Sequence, residues 1–144
     1  MQRDFSEQEN IRRESLKKLR DLKIDPYPAS VFDVKHTSNQ IKENYKDEYE
    51  MEVVLAGRIM SRRIMGKASF VEIQDSKGRI QIYINRDELC ETEDKTLYNI
   101  VFKRLLDIGD IIGIKGTVFK TKVGEISVRV KEITILSKSL KPLP

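Results

Sequence analysis

The chain has 144 residues, 39% of them hydrophobic and 35% charged, which fits one folded domain and leaves little room for two. The chain has one cysteine, Cys90, which excludes an intrachain disulfide and a cysteine-based zinc site. Its one histidine, His36, excludes most metal and acid–base centres. The net charge of +4 weakly favours a polyanionic partner, and no apolar run approaches the ~20 residues of a membrane span.

The chain is predicted to begin with a helix. Ser6 followed three residues later by Glu9 is a capping box, so the helix is expected to start there and to run to about residue 23. The Asp-Pro-Tyr-Pro segment at 25–28 ends it, because a proline disfavours helix in the residue before it.

A second cap, Thr37 with Gln40, predicts a short helix before the strands begin. We assign residues 1–50 to an N-terminal helical extension and linker. Residues 51–137 are assigned to the main domain.

From residue 51 the hydrophobic pattern changes to a period of two, which predicts strands. The first strand starts at 51 and is followed by a basic connection at 61–67. Four further strands are expected over 69–74, 79–84, 111–119 and 125–136. Leu97, Val101 and Leu105 recur every four residues and predict a helix over 94–106.

Three strands, a helix and two strands are the layout of an OB-fold, a five-stranded Greek-key barrel. We therefore predict a mainly β fold with some helix, preceded by the helical extension. OB-folds bind oligonucleotides on strands two and three and on the loops that follow strands one and four. Those loops are 61–67 and 120–124 here, and both lie in segments rich in lysine and arginine. Fold and charge thus agree on a nucleic-acid surface.

Side-chain parity places one aromatic residue on the outer side of the barrel. Val71 and Ile73 share the core face of the second strand, so Phe70 lies on the other face. A four-residue turn at 75–78 pairs Phe70 with Tyr83 and leaves Phe70 diagonal to Gln81.

Two interpretations of Phe70 and Gln81 follow. Phe70 is either a platform on which a base stacks, or a ring that packs on Tyr83 or under the N-terminal helix. Gln81 is either a surface amide or a partner for a base, since one donor and one acceptor match the edge of uracil and mismatch cytosine.

The remaining candidates are charged. Glu125 is the only acid among the bases of segment 115–131; it either balances them or accepts a hydrogen bond from a base. The natural phosphate or base contacts are Arg62, Arg63, Lys67, Lys120 and Lys122.

Several motifs resemble one family. They are Arg-Arg-Ile-Met-Gly-Lys-Ala-Ser-Phe at 62–70, Gly-Arg-Ile-Gln-Ile-Tyr at 78–83, Gly-Asp-Ile at 109–111 and Phe-Lys-Thr-Lys-Val-Gly-Glu-Ile-Ser at 119–127. In combination they resemble the N-terminal anticodon-binding domain of class II lysyl-tRNA synthetases, over nearly the whole chain. Aspartyl- and asparaginyl-tRNA synthetases share this type of domain.

The resemblance implies roles for residues of this chain. Phe70 would stack on the central uridine of a UUU-type lysine anticodon, and Gln81 would hydrogen-bond its edge with Arg63 nearby. Glu125 would help to bind the first or an adjacent base.

The resemblance also implies a parent enzyme. That parent would be a cytoplasmic, homodimeric, ATP-dependent lysine–tRNA ligase that uses ATP and Mg²⁺ in a catalytic domain beyond 138–144, which we expect to be a linker. We expect no catalytic residue, cofactor or metal site in this chain, no membrane partner, and no aminoacylation by it alone. The alternatives are a non-specific single-strand-binding OB-fold and a protein-interaction module.

Overall fold

Five strands close into a barrel in the order β1-β2-β3-β5-β4 in the computed structural model. It describes residues 7–22 and 32–137, without the side chains of residues 100, 101 and 104. The elements are α1 (Glu7–Asp21), α2 (Ser38–Asn44), β1 (Glu52–Met65), β2 (Ala68–Asp75), β3 (Gly78–Asn85), α3 (Arg86–Leu89), α4 (Leu97–Leu105), β4 (Ile111–Lys120) and β5 (Ile126–Ser137). The predicted OB-fold barrel with a helix before β4 and a helix at the N-terminal end is confirmed.

The core follows from alternation. Ile80, Ile82 and Ile84 of β3 are all buried, while the residues between them face outward. The predicted β2–β3 register is confirmed, with Phe70 opposite Tyr83 and Glu72 opposite Gln81. The barrel closes where β3 runs parallel to β5, while every other pair is antiparallel.

The prediction of a basic connection at 61–67 is wrong. β1 continues to Met65, which pairs with Ala68, so the connection is a tight turn of Gly66 and Lys67. Nothing in 61–65 interrupts an extended chain, and Gly66 supplies the positive φ of 64° that such a hairpin turn needs. Arg62 and Arg63 therefore lie on opposite faces of a strand.

The helix predicted over 94–106 is shorter and differently wound. α4 spans Leu97–Leu105 as a π-helix. Leu105 of the predicted stripe is buried, and Tyr98 and Phe102, which the spacing did not predict, are fully buried beside it. A recurrence of four residues fits the wider π turn as well as the α turn. The stacked rings of Tyr98 and Phe102, 5.5 Å between centroids, anchor this stripe in the core.

The two N-terminal helices are attached to the rest of the domain by a buried side chain and by hydrogen bonds. α1 packs on α4 and buries Leu19. The predicted cap of α2 is present, since the Thr37 N–H donates to the Gln40 side chain (3.2 Å). The Asp75 carboxylate accepts from the Ser38 N–H and hydroxyl, both at 2.7 Å, which fixes α2 to the β2–β3 turn. The predicted cap at Ser6, the exit at 25–28 and the linker at 138–144 lie outside the described residues.

Candidate nucleic-acid interface

The outer face of the barrel carries a row of rings and guanidinium groups. Phe70 is half-buried; its ring centroid lies 5.3 Å from that of Tyr83, and the Arg63 guanidinium carbon lies 5.8 Å from its centre. Phe70 therefore both packs on Tyr83 and keeps part of its ring at the surface. A shallow surface depression beside it is lined in part by Glu72 and Gln81.

Gln81 is held in one orientation by β5. Its Nε2 donates to the Ser127 hydroxyl (3.2 Å), and that hydroxyl donates to the Glu125 carbonyl (3.4 Å). Because the hydroxyl has one hydrogen, it accepts from Gln81, which turns the amide nitrogen toward β5. Within residues 7–22 and 32–137, the amide oxygen and the second N–H have no hydrogen-bond partner, so they can bind a ligand.

Glu125 ends a tight loop after β4. The Thr121 N–H donates to its carbonyl (2.9 Å), and its own N–H donates to the Thr121 hydroxyl (3.0 Å). Gly124, at φ 90°, completes the turn. The side chain of Glu125 is exposed, and the Gln81–Ser127 pairing of the parallel strands brings this loop beside Gln81.

The two adjacent arginines have different surroundings. Arg63 is exposed over Phe70, and no carboxylate of the described residues lies within salt-bridge distance of it. Arg62 lies on the opposite face, where its Nη1 donates to the carbonyls of Phe102 (3.0 Å) and Leu106 (2.6 Å). It thus satisfies carbonyls that the end of α4 leaves without a helical partner.

The lysines lie at the edges of this face. Lys67, in the β1–β2 turn, is 3.9 Å from the Asp87 carboxylate. Lys120 is 3.9 Å from the Asp47 carboxylate and 5.7 Å from the centre of the Tyr45 ring. Burial, and after it the charge of Asp47, raises the pKa of the Tyr45 phenol. Lys122 is exposed in the loop after β4.

Part of this row was not predicted from the sequence. Arg129 of β5 pairs with Tyr83, and its guanidinium carbon lies 5.7 Å from the Tyr83 ring centre and 5.2 Å from that of Phe119. Parity already placed Tyr83 outward, but only the closure of β3 against β5 brings Arg129 to it. The helix α3 was also not predicted, although Asn85 is a residue type that favours a helix N-cap. The Asn85 side chain accepts hydrogen bonds from the N–H groups of Asp87 and Glu88.

The described residues carry neither a metal-binding cluster nor a membrane-spanning helix. Among residues 7–22 and 32–137, no group of three or more histidine, cysteine or acidic residues could hold a metal ion. No helix in the same residues is long and apolar enough to cross a membrane.

A closed five-stranded barrel with an aromatic and cationic face over β2 and β3 defines a nucleic-acid-binding OB-fold. Residues 53–136 match the tRNA anti-codon family, described as an OB-fold nucleic acid binding domain, and the chain belongs to that family.

The resemblance of the sequence to lysyl-tRNA synthetases is confirmed by curated relatives. The lysine–tRNA ligase of Christiangramia forsetii is 60% identical over 140 residues, 97% of this chain and 24% of that protein. That of Porphyromonas gingivalis is 57% identical over 144 residues, 98% of this chain and 25% of that protein. That of Pelotomaculum thermopropionicum is 48% identical over 141 residues, 98% of this chain and 26% of that protein. The chain spans about a quarter of the length of these relatives.

Proposed function

We propose that this domain binds tRNA at a UUU-type lysine anticodon, with the central uridine stacked on Phe70. The observation that carries the proposal is the half-buried Phe70 ring, set between Arg63 and Tyr83 and diagonal to Gln81. Stacking of a base on such a ring contributes about 1–3 kcal/mol.

Gln81 selects uracil in this proposal. Its amide oxygen accepts from the uracil N3–H, and its second N–H donates to a uracil carbonyl. Cytosine presents an acceptor at N3, so the amide oxygen would face a lone pair at a cost of about 1–3 kcal/mol. Ser127 supports the choice, because it keeps the amide from rotating to the arrangement that cytosine would accept.

Charged residues around Phe70 bind the rest of the loop. Arg63, Lys67 and Lys122 are exposed and contact phosphates, and Lys120 does so from its place beside Tyr45. Glu125 accepts from the first or an adjacent base, which the position of its loop beside Gln81 supports. Arg62 was also predicted to contact a phosphate or a base, and this contact stays a prediction. Its guanidinium donates to two carbonyls at the end of α4, and these hydrogen bonds would compete with a contact to RNA.

The parent protein is proposed to be a cytoplasmic class II lysine–tRNA ligase that acts as a homodimer. Residues 1–50 are its helical extension, 51–137 its anticodon-binding domain and 138–144 a linker. As the resemblance implies, ATP and Mg²⁺ would be used by the part of such a protein that lies outside this chain. On this proposal, the chain alone binds tRNA and does not aminoacylate it.

The test compares three proteins by fluorescence anisotropy with a labelled UUU anticodon stem-loop. Phe70→Ala should weaken binding about 5- to 150-fold, the equivalent of one lost stacking contact. Tyr49→Ala removes an aromatic side chain that is 65% exposed and distant in sequence from the row, and it should leave affinity unchanged. Equal affinities for all three proteins would refute the proposal and favour a protein-interaction role for this face.

A further inference from the structure

The turn between β1 and β2 is held by groups outside its own hairpin. It consists of Gly66 and Lys67, and both of their carbonyls accept hydrogen bonds from the segment that follows β3. The phenol of Tyr98, in α4, donates to the Gly66 carbonyl (3.2 Å). The N–H of Arg86, the first residue of α3, donates to the Lys67 carbonyl (2.7 Å). Because an exposed turn could bond these carbonyls to water instead, the two hydrogen bonds fix where the turn lies on the barrel.

The hydroxyl of Tyr98 has a defined hydrogen-bond direction. A carbonyl can only accept, so the single phenol hydrogen points to Gly66. The Ser69 hydroxyl, 2.9 Å from the Tyr98 oxygen, must then donate to it. Tyr98 and Ser69 are both fully buried. The order of donation is therefore Ser69 to Tyr98 to Gly66, and it ends at the turn.

The cation that this arrangement places is Lys67. Its side chain is 63% exposed, and its backbone lies about 10 Å beyond Phe70 along β2, since a strand rises ~3.3 Å per residue. The Lys67 amine is 3.9 Å from the Asp87 carboxylate, which Arg86 (3.1 Å) and Lys95 (3.5 Å) approach more closely. An exposed contact at this distance is weak, so the backbone hydrogen bonds rather than the ion pair determine where the amine lies.

From these contacts we propose that Tyr98 is a positioning residue for RNA binding. Its hydroxyl holds the β1–β2 turn so that the Lys67 amine reaches a phosphate of the anticodon loop, while the buried phenol itself touches no RNA. The proposal rests on the proposed function, because the placement of Lys67 matters only if Lys67 contacts a phosphate. Gly66 is exposed, so water can replace the phenol there, and loss of the hydroxyl releases the turn without removing a strand.

A purely structural role of the hydroxyl is the competing explanation. The ring of Tyr98 stacks on Phe102, and its oxygen satisfies the buried hydroxyl of Ser69. If the hydroxyl did only this, its loss would lower the free energy of unfolding and leave the contribution of Lys67 to RNA affinity as it was.

The experiment is a double-mutant cycle of wild type, Tyr98→Phe, Lys67→Gln and the double variant. Each protein is titrated by anisotropy with the UUU stem-loop at several salt concentrations. Lys67→Gln should weaken binding about 3- to 5-fold and lower the slope of log affinity against log salt by about 1. Tyr98→Phe should weaken binding about 2- to 3-fold and lower the slope in the same direction. The double variant should bind no more weakly than Lys67→Gln, because both changes remove the same contact.

Ser69→Ala is the matched control within the same hydrogen-bond chain. It removes the bond to the Tyr98 oxygen and leaves the bond from Tyr98 to Gly66. It should therefore lower stability but keep RNA affinity within about 2-fold of wild type, with the same salt slope. A Ser69→Ala protein that loses affinity and slope as Tyr98→Phe does would contradict the positioning role.

A second cycle tests whether the effect is confined to the β1–β2 turn. Lys122 lies in the loop after β4, which Thr121 holds, so Lys122→Gln should weaken binding by the same factor in wild type and in Tyr98→Phe. The ratio of affinities for central uracil and cytosine should not change in Tyr98→Phe, because Gln81 and Ser127 lie on β3 and β5. A fall in this ratio would indicate a general loosening of the barrel and overturn the proposal.

Folding of each variant is checked by circular dichroism. If Tyr98→Phe does not fold, the Ser69→Ala/Tyr98→Phe variant replaces it in the cycle, because it leaves no buried hydroxyl without a partner. Additive losses in the cycle with Lys67, or wild-type affinity of Lys67→Gln, would overturn the positioning role. If Phe70→Ala still weakens binding in that case, the proposed stacking on Phe70 stands. If Phe70→Ala is also without effect, the proposed function itself fails.

Discussion

At the scale of single residues, strand parity was sufficient to place Phe70 and Gln81 on the outer face of the barrel. The same rule could not separate Arg62 from Arg63, because the sequence analysis placed both in a loop. Once β1 extends to Met65, the two arginines point to opposite faces, one toward Phe70 and one toward the end of α4. No local sequence pattern predicts that the Arg62 side chain donates hydrogen bonds to carbonyls about forty residues away in sequence.

Arg62→Met should therefore lower stability more than RNA affinity. It removes two hydrogen bonds from a charged donor, which should reduce the free energy of unfolding by about 1.5–3 kcal/mol. Arg63→Met should change stability little and weaken binding of the UUU stem-loop. Urea titration and anisotropy measure the two effects, and an Arg62→Met protein of normal stability but weak binding would show that Arg62 contacts RNA directly.

Ser127→Ala should reduce base discrimination without removing any group that touches RNA. The hydroxyl fixes the amide of Gln81, so its loss lets the amide rotate and accept cytosine as well as uracil. We expect the ratio of affinities for loops with central uracil and cytosine to fall several-fold, and Ser127→Thr to restore it. If the ratio is unchanged in Ser127→Ala, the hydroxyl does not orient the amide.

At the scale of elements, four of the five strands were predictable, whereas the end of β1 and the irregular helices were not. Alternation of isoleucine and valine gives β2, β3, β4 and β5 to within two residues at each end. The four-residue spacing of Leu97, Val101 and Leu105 does not distinguish the π winding of α4 from an α-helix, and it does not predict the stacked rings of Tyr98 and Phe102. The short α3 depends on one cap, Asn85, which alone is a weak signal.

The approach of β4 to β5 gives a sharp prediction at Gly116. A Cβ at this glycine would lie 2.1 Å from the Arg129 carbonyl oxygen, so the backbone of β5 would have to move. Gly116→Ala should lower the free energy of unfolding by about 1–3 kcal/mol and weaken RNA binding, because β5 also carries Ser127, the partner of Gln81. The control is Lys115→Ala at the same bulge, which should be near neutral in both measurements. Calorimetry measures the stability of each variant, and anisotropy measures its RNA affinity. A Gly116→Ala protein as stable as wild type would contradict this description of the β4–β5 contact.

At the scale of the whole molecule, barrel closure creates the proposed site. The pairing of β3 with β5 joins segments about 46 residues apart and sets the loop at 121–125 beside Gln81. The OB-fold topology was predictable from the order of elements, and it implied that the two basic segments would flank β2 and β3. The row from Arg63 to Arg129 was not predictable from the sequence, because it depends on the register between strands that are distant in sequence.

The most direct test of the account is the identity of the central base. The wild-type chain and Phe70→Ala are titrated by anisotropy with stem-loops bearing uracil or cytosine at the central position, at two salt concentrations. We predict that wild type prefers uracil by about 5- to 150-fold at both salt concentrations, and that Phe70→Ala loses most of this preference because the unstacked base is no longer held against Gln81. Equal binding of both loops by wild type, with a strong dependence on salt, would contradict it and identify a generic basic single-strand binder.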